Sequence, residues 1–153
     1  SPRLSASAWE KGRGEENPAF TNTGVRNSTS SPTSLCVSAD RDRLAQVLDN
    51  LLDNAIRYSP PGGEVQVRLI REGERLVCQV LDAGPGIPAQ HLPFIFDRFY
   101  RVDPARGRAQ GGSGLGLAIV RGLTLAMGGG VAASSQVGQG TALTFWLPAA
   151  PSK

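Results

Sequence analysis

The sequence predicts a layered α/β sandwich. Three observations carry this: a long amphipathic helical stripe, a hairpin of alternating apolar residues directly after it, and a second helix followed by a second pair of strands. Helices and hairpins in mixed order bury their apolar faces by packing one layer on the other. The length of 153 residues fits one domain on the usual ~100–200 residues per domain.

Residues 1–34 stand apart. They hold seven Ser, four Thr and three Pro and show no useful periodicity. They read as a linker or disordered segment, and the domain as residues 35–150. Leu35–Ser38 is expected to be a short strand. Asp40 is a fitting helix N-cap, with Asp42 in the first turn. Leu44, Val47, Leu48, Leu51, Leu52, Ala55 and Ile56 then follow the i, i+3, i+4 spacing of one buried helical face. Ser59-Pro60-Pro61-Gly62-Gly63 ends that helix. Val65, Val67 and Leu69 alternate, as do Leu76, Cys78 and Val80, and Gly73 lies in the turn between them. Asp82-Ala83-Gly84-Pro85-Gly86-Ile87-Pro88 is a rigid turn-forming loop. Phe94, Phe96, Phe99 and Tyr100 cluster after it. Ser113–Met127 reads as a helix stopped by Gly128-Gly129-Gly130. Val131–Ser135 and Thr141–Leu147 read as a last strand pair around Gly138-Gln139-Gly140.

Composition narrows the chemistry. Gly 19 and Pro 11 make about a fifth of the chain, against a usual ~12%. Turns and backbone-contact loops are therefore abundant. The net charge is +3 and the basic residues form no block, so nothing marks a nucleic-acid surface. The only lysines are Lys11 and Lys153, which leaves no lysine in the body for a Walker loop or a kinase strand lysine. Cys36 and Cys78 lack metal-ligand spacing and read as small apolar strand residues. A lone histidine, His91, cannot build a common zinc site. No apolar run approaches the ~20 residues of a membrane-spanning helix.

Three groups of residues carry candidate chemistry. Eleven of the 19 glycines lie in residues 107–140, centred on Gly111-Gly112-Ser113-Gly114-Leu115-Gly116-Leu117 at the start of a helix. Such a run is either a phosphate site, where backbone N–H groups meet an anion, or a flexible loop with a tight helix cap. Asn50 and Asn54 share a helix face at the edge of the apolar stripe. They are either oxygen ligands for a magnesium ion or polar residues bordering a core. Arg57 and Tyr58 sit one turn on. Asp82 ends an apolar strand, where it either accepts from a ligand amino group or closes an Asx turn.

Together these pieces resemble the catalytic, ATP-binding domain of a bacterial two-component sensor histidine kinase. The wider group includes gyrase, the Hsp90 chaperones and the MutL repair proteins. The boxes occur in the family's order. Asp49-Asn50-Leu51-Leu52-Asp53-Asn54-Ala55-Ile56-Arg57-Tyr58-Ser59-Pro60 resembles the N box, and Asp82-Ala83-Gly84-Pro85-Gly86-Ile87 the first glycine box. Phe94-Ile95-Phe96-Asp97-Arg98-Phe99-Tyr100-Arg101 resembles the F box. Gly112-Ser113-Gly114-Leu115-Gly116-Leu117 and Gly138-Gln139-Gly140-Thr141 resemble the later glycine boxes. The resemblance covers roughly residues 36–148.

The resemblance implies a two-layer sandwich of the Bergerat type, with a mixed, largely antiparallel sheet on about three helices. It implies ATP and Mg²⁺ as cofactors. Asn54 would bind the Mg²⁺ between the phosphates, Asn50 would support the metal or the phosphates, and Arg57 would reach the phosphates; these three are the expected catalytic residues. Tyr58 would pack near the adenine, and Asp82 would accept from its amino group, with Thr141 beside it. Gly84, Gly86 and Ile87 would let the chain pass against the base. Residues 97–113 would form a lid that brings Arg98, Phe99 and Arg101 to the nucleotide. Gly112, Gly114, Leu115, Gly116 and Leu117 would hold the phosphates at the helix start.

The family's hydrolysing relatives carry a Glu where this chain has Asn50, and an amide cannot activate water. The resemblance therefore implies transfer of the γ-phosphoryl group to a histidine on a separate dimerisation domain, by positioning and charge neutralisation. That domain of the same kinase is the expected partner, with the response regulator an indirect one, and with no nucleic acid or membrane contact by this fragment. The expected location is the cytoplasm, the parent protein being anchored in the inner membrane. His91 is followed by Leu92 rather than an acidic residue, so it is expected to be a lid or surface residue and not the acceptor. Three other readings compete: an interaction module that has lost kinase activity, a serine kinase of the anti-sigma type, and an ATPase that would release phosphate without an acceptor.

Overall fold

Asp40 starts the first helix by capping it. Its Oδ1 accepts from the N–H groups of Asp42 at 3.0 Å and Arg43 at 3.1 Å, which satisfies donors that have no partner within the helix. Helix α1 then runs Arg41–Tyr58 and buries Val47, Leu51 and Ala55. It ends where Pro60 and Pro61 cannot continue it. The structure is a computed structural model that describes residues 36–102 and 114–151. The expectations for residues 1–34, and for the lid from 103 to 113, lie outside the described residues.

Strands β1 (Gln66–Glu72) and β2 (Arg75–Asp82) form the expected hairpin, closed at the Glu72–Arg75 pair. Gly73 sits in its turn at φ 57°. A 3-10 turn spans Leu92–Phe94, helix α2 spans Gly116–Ala126, and strands β3 (Gly130–Gln136) and β4 (Gly140–Pro148) follow. The four strands are ordered β1-β2-β4-β3, and every neighbouring pair is antiparallel. The two-layer architecture is as the sequence predicts. The described residues hold two α-helices and the one-turn 3-10 helix in place of the three or so helices expected.

One core joins the layers. Val47, Leu51 and Ala55 of α1 and Val120 of α2 meet Cys78 and Val80 of β2 and Leu143, Phe145 and Leu147 of β4. α1 packs against α2 and β2, and α2 against β3 and β4. This leaves β1 beyond the helical layer. Val67 and Leu69, on the same side as Cys78 and Val80, are accordingly 50% and 54% exposed despite their alternation. Leu35–Ser38 gives no full strand within the described residues. Val37 makes a single antiparallel bridge to Ala149, and the Ala150 N–H donates to the Cys36 carbonyl at 2.8 Å. Cys36 is thus an exposed residue at a bridge, whereas Cys78 is a buried strand residue. Burial pushes the Cys78 thiol up to about 11, so it stays protonated near neutral pH and acts as an apolar core group.

Candidate functional site

The helical layer and the carboxyl end of β2 enclose a cavity of about 780 Å³, within the range of small-molecule sites. Its first wall is α1. Asn50, Asn54, Arg57 and Tyr58 all line it, because their i, i+4, i+7, i+8 spacing puts them on one helix face. Asn50 abuts the start of α2, and a Cβ on Gly116 would stand 3.5 Å from its Oδ1.

The second wall is the loop after β2. Asp82 ends the strand with only 6% of its surface exposed. Its Oδ1 accepts from the Gly84 N–H at 2.9 Å, so the Asx-turn reading is correct locally. Desolvation raises its carboxyl above the usual range, and the backbone N–H groups of Gly84 and Thr141 pull in the opposite direction. The loop is clamped to the β3–β4 turn. The Ile87 N–H donates to Ser135 Oγ at 2.7 Å, and Ser135 Oγ lies 2.8 Å from the Gly140 carbonyl and 2.9 Å from Thr141 Oγ1. The Gly138 N–H donates to Pro85 O at 2.8 Å. Gly86 has φ 78°, and a Cβ there would fall 2.3 Å from Gln136 O, so only glycine fits. Gly86, Ile87 and Thr141 line the cavity. Gly84 lies underneath, where a Cβ would meet Tyr58 O at 2.6 Å.

The third wall joins the two sides of the 103–113 segment. Tyr100, Arg101 and Val102 line it from one side, and Gly114, Gly116 and Leu117 from the other. Leu115, at the N-cap position of α2, supplies no side-chain cap, and it is not among the cavity-lining residues.

Most of the sequence-predicted residues therefore converge, and four do not. Arg98 faces a separate shallow groove with Phe96, Asp97 and Arg121. The Phe99 ring is 70% exposed. The reason is local: Phe99 adopts φ 64°, a left-handed turn that sends Tyr100 and Arg101 inward and leaves Arg98 on the other side. Gly84 lies behind the wall, against Tyr58 O, and Leu115 is not among the lining residues. Gly112 lies outside the described residues.

Sequence reasoning missed several wall residues. Asp53 lines the cavity from α1, one turn after Asn50, and that spacing was legible. Ser59, Tyr100 and Leu143 also line it. Ser59 Oγ is buried with no hydrogen-bond partner. Ser135 emerges only from the register of β3 against β4.

The chain is similar to several known proteins. The chain is 49% identical over 116 residues to the sensor histidine kinase WalK of Bacillus subtilis, a match covering 74% of this chain and 19% of that protein. It is 38% identical over 129 residues to the signal transduction histidine-protein kinase BaeS of Escherichia coli, covering 84% of this chain and 28% of that one. The chain thus corresponds to a minor part of each of these relatives. Among solved structures, a mycobacterial sensor histidine kinase, MprB, superposes with a TM-score of 0.66 at 39% identity, over 76% of each chain. Full-length ShkA in complex with AMPPNP gives a TM-score of 0.66 at 35% identity, over 76% of this chain and 23% of that one. Residues 39–151 match the histidine kinase-, DNA gyrase B-, and HSP90-like ATPase family, and the chain belongs to that family.

Proposed function

We propose that the cavity binds ATP with Mg²⁺ and that the chain is the catalytic domain of a sensor kinase, donating the γ-phosphoryl group to a histidine on the dimerisation domain of the same kinase. The observation that carries this is the buried Asp82 carboxylate on one wall with Asn50, Asn54 and the glycine-rich start of α2 on the others. The similar chain ShkA was solved with AMPPNP, which supports a nucleotide here.

The residues suit that ligand. Asp82 retains acceptor capacity beyond its bond to Gly84 and would take the adenine amino group. Ser59 Oγ is a buried hydroxyl without a partner on the same side, the kind of group a ligand satisfies. Gly86 seats the loop on the β3–β4 turn, and its backbone would then lie at the cavity wall beside the base. The N–H groups at the start of α2 would meet the phosphates, where the helix dipole favours negative charge. Among the described residues no three His, Cys, Asp or Glu side chains converge. Magnesium would instead be held by the Asn54 amide oxygen and the phosphates themselves, with Asn50 in support, a donor set that suits a hard cation. Bound Mg²⁺ neutralises phosphate charge. Arg57 and Arg101 add positive charge at the cavity wall.

Asn50 is an amide and cannot take a proton from water, so the site favours transfer to a partner side chain over hydrolysis. The response regulator would receive the group afterwards. No described helix is long and apolar enough to cross a membrane. A domain that draws on ATP in this way works on the cytoplasmic side, with the parent protein anchored in the membrane. The test is mixing this chain with the dimerisation domain of its parent kinase and γ-labelled ATP. Label is expected on that domain, labile to acid as a phosphoramidate is, and absent when its acceptor histidine is replaced. Steady release of free phosphate with no label on the partner would contradict the proposal.

A further inference from the structure

His91 is the one histidine of the chain; it is half-buried, and its ring is hydrogen-bonded. Its Nδ1 makes a short hydrogen bond with the Tyr100 hydroxyl, and the two rings lie 6.0 Å apart. Tyr100 is a wall of the cavity.

The two residues are held very differently. The main chain of His91 is fixed on both sides. Its N–H donates to Pro88 O at 2.9 Å, and its carbonyl accepts from the Phe94 N–H at 3.0 Å. It stands directly before the 3-10 turn, and Pro88 is itself part of the cavity wall. Tyr100 has weaker support. Its N–H donates to Asp97 O at 3.3 Å, and the residue before it is left-handed. Its ring leans on Phe94 at 5.6 Å, and Phe94 is 47% exposed. The other anchor of the ring is the bond to His91. Without it, the phenol loses the hydrogen bond that ties its ring to a fixed main chain.

We propose that His91 is a positioning residue for nucleotide binding, acting through the Tyr100 hydroxyl to hold that ring in place on the cavity wall. This rests on the nucleotide reading of the cavity. The neutral imidazole can accept from the phenol or donate to it, and the charged ring can donate. Among the described residues, the Nε2 of His91 lies 3.5 Å from the Gln90 side-chain nitrogen.

The experiment is a titration of the whole chain with a non-hydrolysable ATP analogue, below the melting transition. It compares the parent with His91→Ala, Tyr100→Phe, their double variant and His91→Asn. The parent is expected to bind. His91→Ala and Tyr100→Phe should each weaken binding by about three- to tenfold, the range of one hydrogen bond. The double variant should be no weaker than the worse single one, because both remove the same bond. His91→Asn places an amide near the Nδ1 position and should recover most of the affinity. A residue that served stability alone would lower the melting temperature and leave the affinity of the folded fraction unchanged. Parent-like affinity in His91→Ala, or effects of the two single variants that multiply, would overturn the positioning role. A parent chain that does not bind would overturn the nucleotide reading, and the positioning role with it.

Discussion

The backbone N–H of Phe99 donates to the carbonyl of Gly114 at 2.9 Å, and both residues are left-handed, with φ of 64° and 74°. This bond draws together the two ends of the segment that separates the F box from α2. The left-handed region costs an L-residue roughly 1–2 kcal/mol, so Phe99 is strained and Gly114 is not. A Cβ on Gly114 would stand 3.0 Å from Phe99 Cα. Gly114→Ala is expected to lower stability by about 1–2 kcal/mol and to weaken nucleotide binding. Phe99→Gly relieves the strain and removes a mostly exposed ring, so its stability should stay within about 1 kcal/mol of the parent. Denaturant titration of the two variants checks both.

Asp82 is expected to trade stability for binding. Burial raises its carboxyl, and the bonds from Gly84 and Thr141 only partly oppose this. A raised carboxyl favours the neutral form in the fold. Its contribution is fully present below the ordinary carboxylate range and is lost as pH climbs through the raised value. Asp82→Asn keeps that group neutral at all pH. It should melt at or above the parent near neutral pH and lose less stability as pH rises through the acid range. Its amide would turn a donor toward the adenine amino group, and affinity should fall by about tenfold or more. Thermal melts across pH, paired with nucleotide titration, separate the two effects. A variant that melts well below the parent near neutral pH would contradict the assignment.

Asn54 is expected to carry the magnesium dependence. In the parent, Mg²⁺ should tighten binding of an ATP analogue. In Asn54→Ala, titrations with and without Mg²⁺ should coincide within about twofold, since the variant lacks the side-chain oxygen a hard cation needs. A full Mg²⁺ effect in the variant would remove Asn54 from the metal's shell.

Two glycines should respond in opposite ways. Gly86→Ala forces a Cβ to within 2.3 Å of Gln136 O at φ 78°, and should destabilise by about 2 kcal/mol or more by prising the first glycine box from the β3–β4 turn. Gly122 lies in α2, and a Cβ added there would meet nothing within 4 Å, so Gly122→Ala should stabilise by about 0.5–1 kcal/mol. Chemical denaturation midpoints test the pair.

The elements of the fold that obey one period were legible in the sequence. The stripe from Leu44 to Ala55 gave α1, although Ile56, expected on the same buried face, is 66% exposed, and Asp40 gave its start, because capping chemistry is local. The hairpin and the two later strands followed from alternation and glycine. What was not legible depends on which layer covers which strand. Val67 and Leu69 alternate like core residues, yet β1 lies past the helices. Of the site, the α1 face and Asp82 followed from spacing and strand end. Arg98 was misplaced because one left-handed residue, Phe99, reverses which side its neighbours face, and no propensity of Phe foretells that. Ser135 joins Ile87 to Gly140 and Thr141 only through cross-strand register. The His91–Tyr100 bond spans nine residues of irregular chain, where no periodicity applies.

The central claim is that this cavity binds Mg·ATP. Calorimetric titration of the chain with a non-hydrolysable ATP analogue, with and without Mg²⁺, tests it most directly. The account predicts saturable one-to-one binding, tightened by Mg²⁺ and weakened by Asp82→Asn and Asn54→Ala. No heat of binding in the folded parent, or affinity unmoved by both substitutions, would contradict it.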